Sequence, residues 1–189
     1  AQIATAVHGR LAGAPGNATV TGAVEFDSRK VGPGGLFVAF DGANVDGHDF
    51  AAEAVAKGAV AAMGTRQVPD VPMVLVDDAL TAMGRLARAV LDRLPGLTVV
   101  GLTGSSGKTT TKDFVAQLAA RLGPTVAPPG SLNNELGHPY TALQADEDTR
   151  FLVLEMGARG IGHVRYLCEI APPRIGVVLN VGVSHVGGF

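Results

Sequence analysis

The chain has 189 residues, 47% hydrophobic and 17% charged, with 26 glycines and no tryptophan, a balance that suits a packed α/β protein and excludes a disordered one. Its formal net charge is −2 and it has no basic run, so it carries no nucleic-acid footprint, and no apolar run approaches the ~20 residues of a membrane span. The one cysteine, Cys168, allows no internal disulfide and has no zinc-type spacing to the histidines; it reads as a buried small hydrophobe in a reducing compartment.

Taken in order, the chain opens in a short helix over residues 2–8, stopped by Gly9. Val20, Gly22, Val24 and Phe26 alternate with polar or small partners and predict a half-buried strand over 19–27, which runs into Asp27-Ser28-Arg29. Pro33-Gly34-Gly35 is a turn and 36–40 a buried strand; Asp41-Gly42 and Asp46-Gly47-His48 mark a loop. Asp49 is placed to cap a helix over 50–57, with Gly58 as its stop. Short strands follow at 60–63 and 73–76. Over 78–94, Leu80, Met83, Leu86, Ala87, Val90, Leu91 and Leu94 form one helical stripe opposite Arg85, Arg88, Asp92 and Arg93. The expected organisation is a small α/β domain over 1–78, a connecting helix and linker over 79–96, and an incomplete parallel-sheet domain over 97–189. Both ends of the chain read as internal to a longer protein.

The second segment opens on an apolar strand, 97–102, and a glycine-punctuated turn. Phe114, Val115, Leu118, Ala119 and Leu122 then recur at helical spacing. Strand, glycine turn, Gly107-Lys108-Thr109 and helix form the layout of a phosphate-binding loop: backbone N–H groups curl around phosphate oxygens, Lys108 reaches the β- and γ-phosphates, and the Thr109 hydroxyl ligates Mg²⁺. The common pattern has glycine five residues before Gly107, where this chain has Leu102, so the cradle is a shorter variant. A strand at 125–127, a loop passing into a helix over 131–143, a buried strand over 151–154 ending at Glu155, a helix over 162–170 and a buried strand over 175–179 follow. This alternation implies right-handed crossovers, a parallel sheet and ligands at the strands' carboxyl ends. Residues 104–109, Glu155 and the segment 180–185 fall at such ends.

Glu155 is placed to hold a nucleotide's Mg²⁺. His185 fits either a second metal or phosphate contact, or a plain loop histidine. The amides of Asn133 and Asn134 suit phosphate or metal-bound water, and equally turn chemistry. Ser28-Arg29 offers a fork for phosphate oxygens or a surface ion pair; Asp46 and His48 leave the same choice open. His8, His138 and His163 read as surface residues.

Together these stretches resemble a family. The loop 103–112, Leu132-Asn133-Asn134-Glu135-Leu136-Gly137-His138-Pro139, Leu154-Glu155-Met156-Gly157-Ala158 and Ser184-His185-Val186-Gly187-Gly188-Phe189 resemble the Mur ligases, the ATP-dependent enzymes of bacterial peptidoglycan precursor synthesis. Asp27-Ser28-Arg29, residues 33–39 and Asp46-Gly47-His48 are similar to the UDP-sugar-binding domain of the later members. Ser105-Ser106 and the Asn-Asn-Glu-Leu-Gly-x-Pro stretch point to the type that adds D-alanyl-D-alanine. The resemblance implies that ATP phosphorylates the terminal carboxylate of UDP-N-acetylmuramoyl-tripeptide and that the amine of D-alanyl-D-alanine attacks the acyl phosphate. By match to the motifs, Gly104, Ser105, Ser106, Gly107, Lys108, Thr109 and Thr110 hold the ATP phosphates, and Asn133 or Asn134 contacts nucleotide. Thr109 and Glu155 hold one Mg²⁺, Glu155 and His185 a second, and Lys108, Glu155 and His185 carry the catalysis. Ser28, Arg29, Asp46 and His48 face the UDP end.

A cytoplasmic monomer with no nucleic-acid partner is the expectation. The family also uses a carbamylated lysine beyond the histidine and a third, closing domain; the four lysines of this chain end at Lys112. The alternatives are another Mur or folylpolyglutamate-type amide ligase, and a non-catalytic module binding UDP-substrate or nucleotide. A switch GTPase would need Asn-Lys-x-Asp, which the sequence lacks.

Overall fold

The computed structural model describes residues 1–13, 16–42 and 45–182, and the chain gathers into two units, Ala1–Leu86 and Ala87–Phe189. The first contains α1 (Gln2–Ala6), β1 (Arg10–Ala12), β2 (Val24–Glu25), β3 (Leu36–Val38), a 3₁₀ turn (Gly47–Phe50), α2 (Ala51–Ala56), β4 (Ala61–Gly64) and β5 (Met73–Leu75). Its sheet runs β1-β5-β4-β3-β2. Strands β2 to β5 pair in parallel, and β1 lies antiparallel against β5. Every side chain of β3, β4 and β5 is buried, the condition of a parallel strand covered on both faces. Hence the sequence shows apolar runs there rather than alternation. Phe37, Met73 and Leu75 pack with Val31, Ala54 and Val71 into the core.

Two expectations change here, and one strand had no counterpart among them. The strand predicted over 19–27 forms only at Val24–Glu25, because Thr21 and Gly22 give their N–H groups to the Gly34 carbonyl of the neighbouring turn instead of a ladder. Strand β1 is too short, and Arg10 too exposed, for periodicity to reveal it. The helix expected from Asp49 is preceded by the 3₁₀ turn, whose cap is Asp46: its carboxylate accepts the His48 N–H at 2.9 Å.

Helix α3 (Ala79–Leu91) straddles the division between the units. The Asp78 carboxylate accepts the Thr81 N–H at 2.6 Å at its start, an N-cap bond; the Thr81 hydroxyl, followed by this N–H, lowers the Asp78 pKa.

The second unit contains β6 (Thr98–Thr103), α4 (Lys108–Ala120), β7 (Thr125–Val126), α5 (Gly137–Ala142), β8 (Phe151–Glu155), α6 (His163–Ile170) and β9 (Ile175–Val178). Its sheet runs β7-β8-β6-β9, with every pair parallel. Alternate side chains of β6 and β8 serve opposite faces. Val99, Leu152 and Leu154 pack with Ala142 and Ile170 of α5 and α6. Val100, Leu102 and Val153 pack with Ala119 of α4.

The stripe read from the sequence of α4 is only half right. Ala119 is buried, but Phe114, Leu118 and Leu122 are 61%, 69% and 68% exposed. The helix packs instead through Lys112, Val115, Ala116 and Ala119, a face at i, i+3, i+4 and i+7. Strand β9, expected to be buried, is the sheet's edge among the described residues, with Ile175 and Val178 exposed.

Candidate functional site

Three neighbouring parallel strands end side by side. The register sets Leu102 opposite Glu155 and Thr103 opposite Val178. The loop after β6, the last residue of β8 and the segment after β9 therefore meet at one edge of the sheet, where open parallel sheets take ligands. Gly107 turns the chain into α4 at φ 79°, a left-handed conformation that an L side chain rarely adopts. The first amides of α4 have no intrahelical acceptor and carry the positive end of the helix dipole. They open onto a cleft of about 280 Å³ lined by Gly107, Lys108, Thr109, Thr110, Ser131, Asn133 and Glu155. That volume lies just below the ~300–1,000 Å³ of sites that enclose a whole small molecule, and suits a phosphate tail.

Glu155 is the centre of the cleft. It is 1% exposed, and neutral donors hold both oxygens. Oε2 accepts from the Thr109 hydroxyl at 2.8 Å; Oε1 accepts from Asn133 Nδ2 at 2.7 Å and from Ser131 Oγ at 3.4 Å. A buried carboxylate needs such partners. Nothing in the sequence marks Ser131, which is an ordinary serine in a loop. The structure also separates the two asparagines: Asn133 lines the cleft, while Asn134 Oδ1 accepts the Gly137 N–H at the start of α5. Gly157 makes room for Asn133, since a Cβ there would lie 2.9 Å from its carbonyl oxygen and 3.1 Å from its Cγ. An oxygen-only set of one carboxylate and one hydroxyl, open on one side, fits a cation such as Mg²⁺, which keeps several waters and shares its shell with substrate phosphates.

Leu102, which replaces the first glycine of the common loop pattern, is buried in β6, so the cradle starts only at Gly104. A residue of the segment after β9 completes it. Asn180 Oδ1 accepts the N–H groups of Ser105 and Ser106, both at 3.0 Å, and its Nδ2 donates to the Ser106 carbonyl at 3.1 Å. The Gly182 N–H donates to Ser105 Oγ at 2.7 Å. Sequence position set Asn180 at a strand end without revealing this role. Lys108 Nζ donates to the Gly104 carbonyl at 2.8 Å, so the lysine lies along its own loop. Thr110 is exposed at the mouth of the cleft.

The remaining candidates belong to the first unit. Arg29 forms a bidentate pair with Asp27 through Nε and Nη2, each at 2.8 Å, with its side chain 82% exposed. This pairing holds the Asp27 carboxyl well below the usual carboxylate range. Ser28 is buried beside it, and Lys57 Nζ reaches the Ser28 carbonyl at 3.3 Å. His48 is buried, with both nitrogens engaged: Nδ1 bonds Asp46 at 2.6 Å, and Nε2 accepts the Thr65 N–H at 3.0 Å. The ring is therefore the Nδ1–H tautomer. The Arg66 guanidinium, followed by His48, pulls the Asp46 carboxyl far down. Asp41, Asp46 and His48 stand close enough to suggest a metal cluster, but a histidine with both nitrogens bonded is a structural brace. Among the described residues, no hydrogen bond or ion pair joins Ser28 or Arg29 to Asp46 or His48.

Two histidines expected at the surface are not there. His138 is 0% exposed, and burial pushes its pKa down to about 4. The His163 side chain is mostly covered, with Nε2 3.0 Å from the Glu135 carboxylate. Cys168 is half-buried, with Sγ 3.5 Å from Met156 Sδ, and burial raises its thiol pKa. His185 lies outside the described residues.

The pattern of the Mur ligase family catalytic domain matches residues 21–90, and that of the Mur ligase middle domain matches residues 102–189. The UDP-N-acetylmuramoyl-tripeptide–D-alanyl-D-alanine ligase of Mycobacterium tuberculosis is 50% identical over 216 aligned positions, covering 100% of this chain and 42% of that protein. The Escherichia coli protein of the same name is 38% identical over 189 positions, covering 100% and 41%. Among solved structures, a MurF from Acinetobacter baumannii matches with a TM-score of 0.89 at 34% identity, over 100% of this chain and 42% of that one. The MurF ligase of Thermotoga maritima in complex with ADP matches with a TM-score of 0.78 at 40% identity, over 88% and 39%. The chain thus spans about two fifths of the length of the curated relatives it matches. With both of its units matched in order and a MurF fold recovered along its length, the chain belongs to the Mur ligase family.

Proposed function

We propose that the chain supplies the UDP-substrate-binding and ATP-binding parts of a ligase that joins D-alanyl-D-alanine to UDP-N-acetylmuramoyl-tripeptide through an acyl phosphate. The observation that carries this is the buried Glu155 carboxylate bonded to Thr109 at 2.8 Å, at the mouth of a helix N-terminus behind a glycine loop. In this reading the amides of residues 107–110 take the phosphate oxygens, and Lys108 leaves the Gly104 carbonyl for the β- and γ-phosphates. Thr109 and Glu155 hold Mg²⁺, which supplies charge neutralisation at the transferring phosphate. Asn133 keeps Glu155 oriented, and Asn180 holds the loop's shape. Phosphoryl transfer asks the protein mainly for positioning and electrostatics, and these residues provide both. By its motif, His185 shares a second cation with Glu155.

In the first unit we assign Ser28, Arg29, Asp46 and His48 to the UDP end. Arg29 is the exposed member, and His48 and Asp46 brace their own loop against Thr65 and Arg66. No helix among the described residues is long and apolar enough to cross a membrane, and we propose a cytoplasmic monomer. The test is phosphate release by the intact protein with MgATP and UDP-N-acetylmuramoyl-tripeptide. Release that depends on D-alanyl-D-alanine is expected. Equal release with single amino acids would overturn the assignment of the amine substrate.

A further inference from the structure

Lys112 stands one turn beyond Lys108 on α4 and is not among the residues that line the cleft. Its neighbours on the packed face, Val115, Ala116 and Ala119, are apolar, yet Lys112 is as deeply buried as any of them, with its side chain 0% exposed. Taking a charge out of water is costly unless each of its donors is met, and an ammonium has three. All three have partners here. Nζ donates to the Pro128 carbonyl at 2.5 Å and to the Gly130 carbonyl at 2.9 Å, and it pairs with the Asp113 carboxylate at 2.8 Å. Two of these partners are backbone atoms of the loop that follows β7.

That loop leads straight to the cleft. Ser131 adjoins Gly130, and its hydroxyl accepts from Asn133 Nδ2 at 2.8 Å. Both Ser131 and Asn133 donate to Glu155 Oε1. The other oxygen, Oε2, is bonded by Thr109, three residues before Lys112 on the same helix. One helix therefore governs both oxygens of the carboxylate, one directly through a hydroxyl and the other through the loop that Lys112 grips.

We propose that Lys112 is a positioning residue: by clamping the 128–130 backbone to α4, it sets the Ser131–Asn133 pair that orients Glu155 toward a divalent cation. The inference rests on the reading above, in which Thr109 and Glu155 hold that cation. Lys112 itself touches neither nucleotide nor metal. Partners that orient a metal ligand from outside the coordination shell change metal affinity by about 10–100-fold when removed.

The test uses the intact protein with Lys112→Met, which keeps length and loses the donors, and Lys112→Arg, which keeps a cation. Three quantities are measured: Mg²⁺ binding in the presence of ADP by calorimetric titration, amide hydrogen exchange over residues 128–133, and binding of metal-free ADP. Lys112→Met should need about tenfold more Mg²⁺ for half-saturation and exchange faster over 128–133, while metal-free ADP binding stays within about twofold; Lys112→Arg should recover most of the Mg²⁺ affinity. If Lys112→Met does not fold, Lys112→Gln, with two donors at shorter reach, is read in the same titration and should fall between wild type and loss. A variant that is merely less heat-stable, with an unchanged Mg²⁺ requirement beside a normally binding wild type, overturns this inference alone. A wild type without metal-dependent ADP binding overturns the nucleotide reading and this inference with it.

Discussion

Glu155 and His138 show how burial gives similar side chains different work. The Glu155 carboxylate is buried with a donor on each oxygen and an open cleft in front of it, so its charge is available to a ligand. His138 lies in α5 with no exposure at all, and desolvation pushes its imidazole down to about 4, offset in part by the backbone of Leu167 and Glu155. A histidine buried neutral makes stability depend on pH in a definite direction. The unfolded ring takes up its proton near 6.5 and the folded one near 4, so between those values the unfolded chain binds more protons. The contribution of His138 to stability is whole above about pH 6.5, is lost as pH falls toward 4, and changes no further below. The gap corresponds to roughly 3 kcal/mol. Urea unfolding followed from pH 7.5 to 4 should show this decline in wild type and a flatter profile in His138→Asn; equal slopes would remove His138 as its source. The sequence could not disclose this: His138 follows Gly137 in a loop-like stretch, and it is the tertiary packing around α5, with the backbone of Glu155 and Leu167 beside the ring, that covers it.

At the scale of elements, strand-turn-helix order around Gly107 was legible because each piece is local: an apolar run, a glycine that permits positive φ, and a periodic helix. The placement of Glu155 was legible for a related reason, since a charge that ends an apolar strand marks the strand's carboxyl end. The closure of the loop was not legible. Asn180 is 74 residues from Ser106 in sequence, and nothing near it shows that β9 pairs with β6. The packed face of α4 was misread because Phe114 and Leu118 outweigh small residues in any periodicity count, whereas the crowded side of the helix accepts Ala116 and Ala119. The role of Asn180 gives a prediction. Asn180→Ala removes the acceptor of two loop amides and one donor to the loop. At roughly 0.5–1.5 kcal/mol for each net hydrogen bond, ADP affinity should fall on the order of tenfold. Adenosine, which lacks phosphates, should bind the variant and wild type alike. Calorimetric titrations with both ligands check this, and a parallel loss for adenosine would assign Asn180 to general stability instead.

At the scale of the molecule, the chain gathers into two units, Ala1–Leu86 and Ala87–Phe189. The division falls after Leu86, inside α3, where Ala87 and Leu91 at the end of that helix join the core of the second unit; a helix read as one amphipathic stripe cannot show where along it that core begins. If the units carry separate ligands as proposed, hydrogen exchange should localise them. UDP-N-acetylmuramoyl-tripeptide should slow exchange around residues 28–29 and 46–48, and MgADP around residues 104–110; MgADP protection confined to the first unit would overturn the assignment. The pairing of β6 with β8 has a further consequence, for what the gene can tolerate. Leu102 lies beside Glu155 because both strands keep count from Thr98 and Phe151. Deleting one residue within β8 would draw the carboxylate back by about 3.3 Å and turn it to the opposite face of the sheet. Apolar letters inside the strand can be exchanged for others of similar size, but their number cannot change, so a deletion too small to unfold the sheet would still abolish the site.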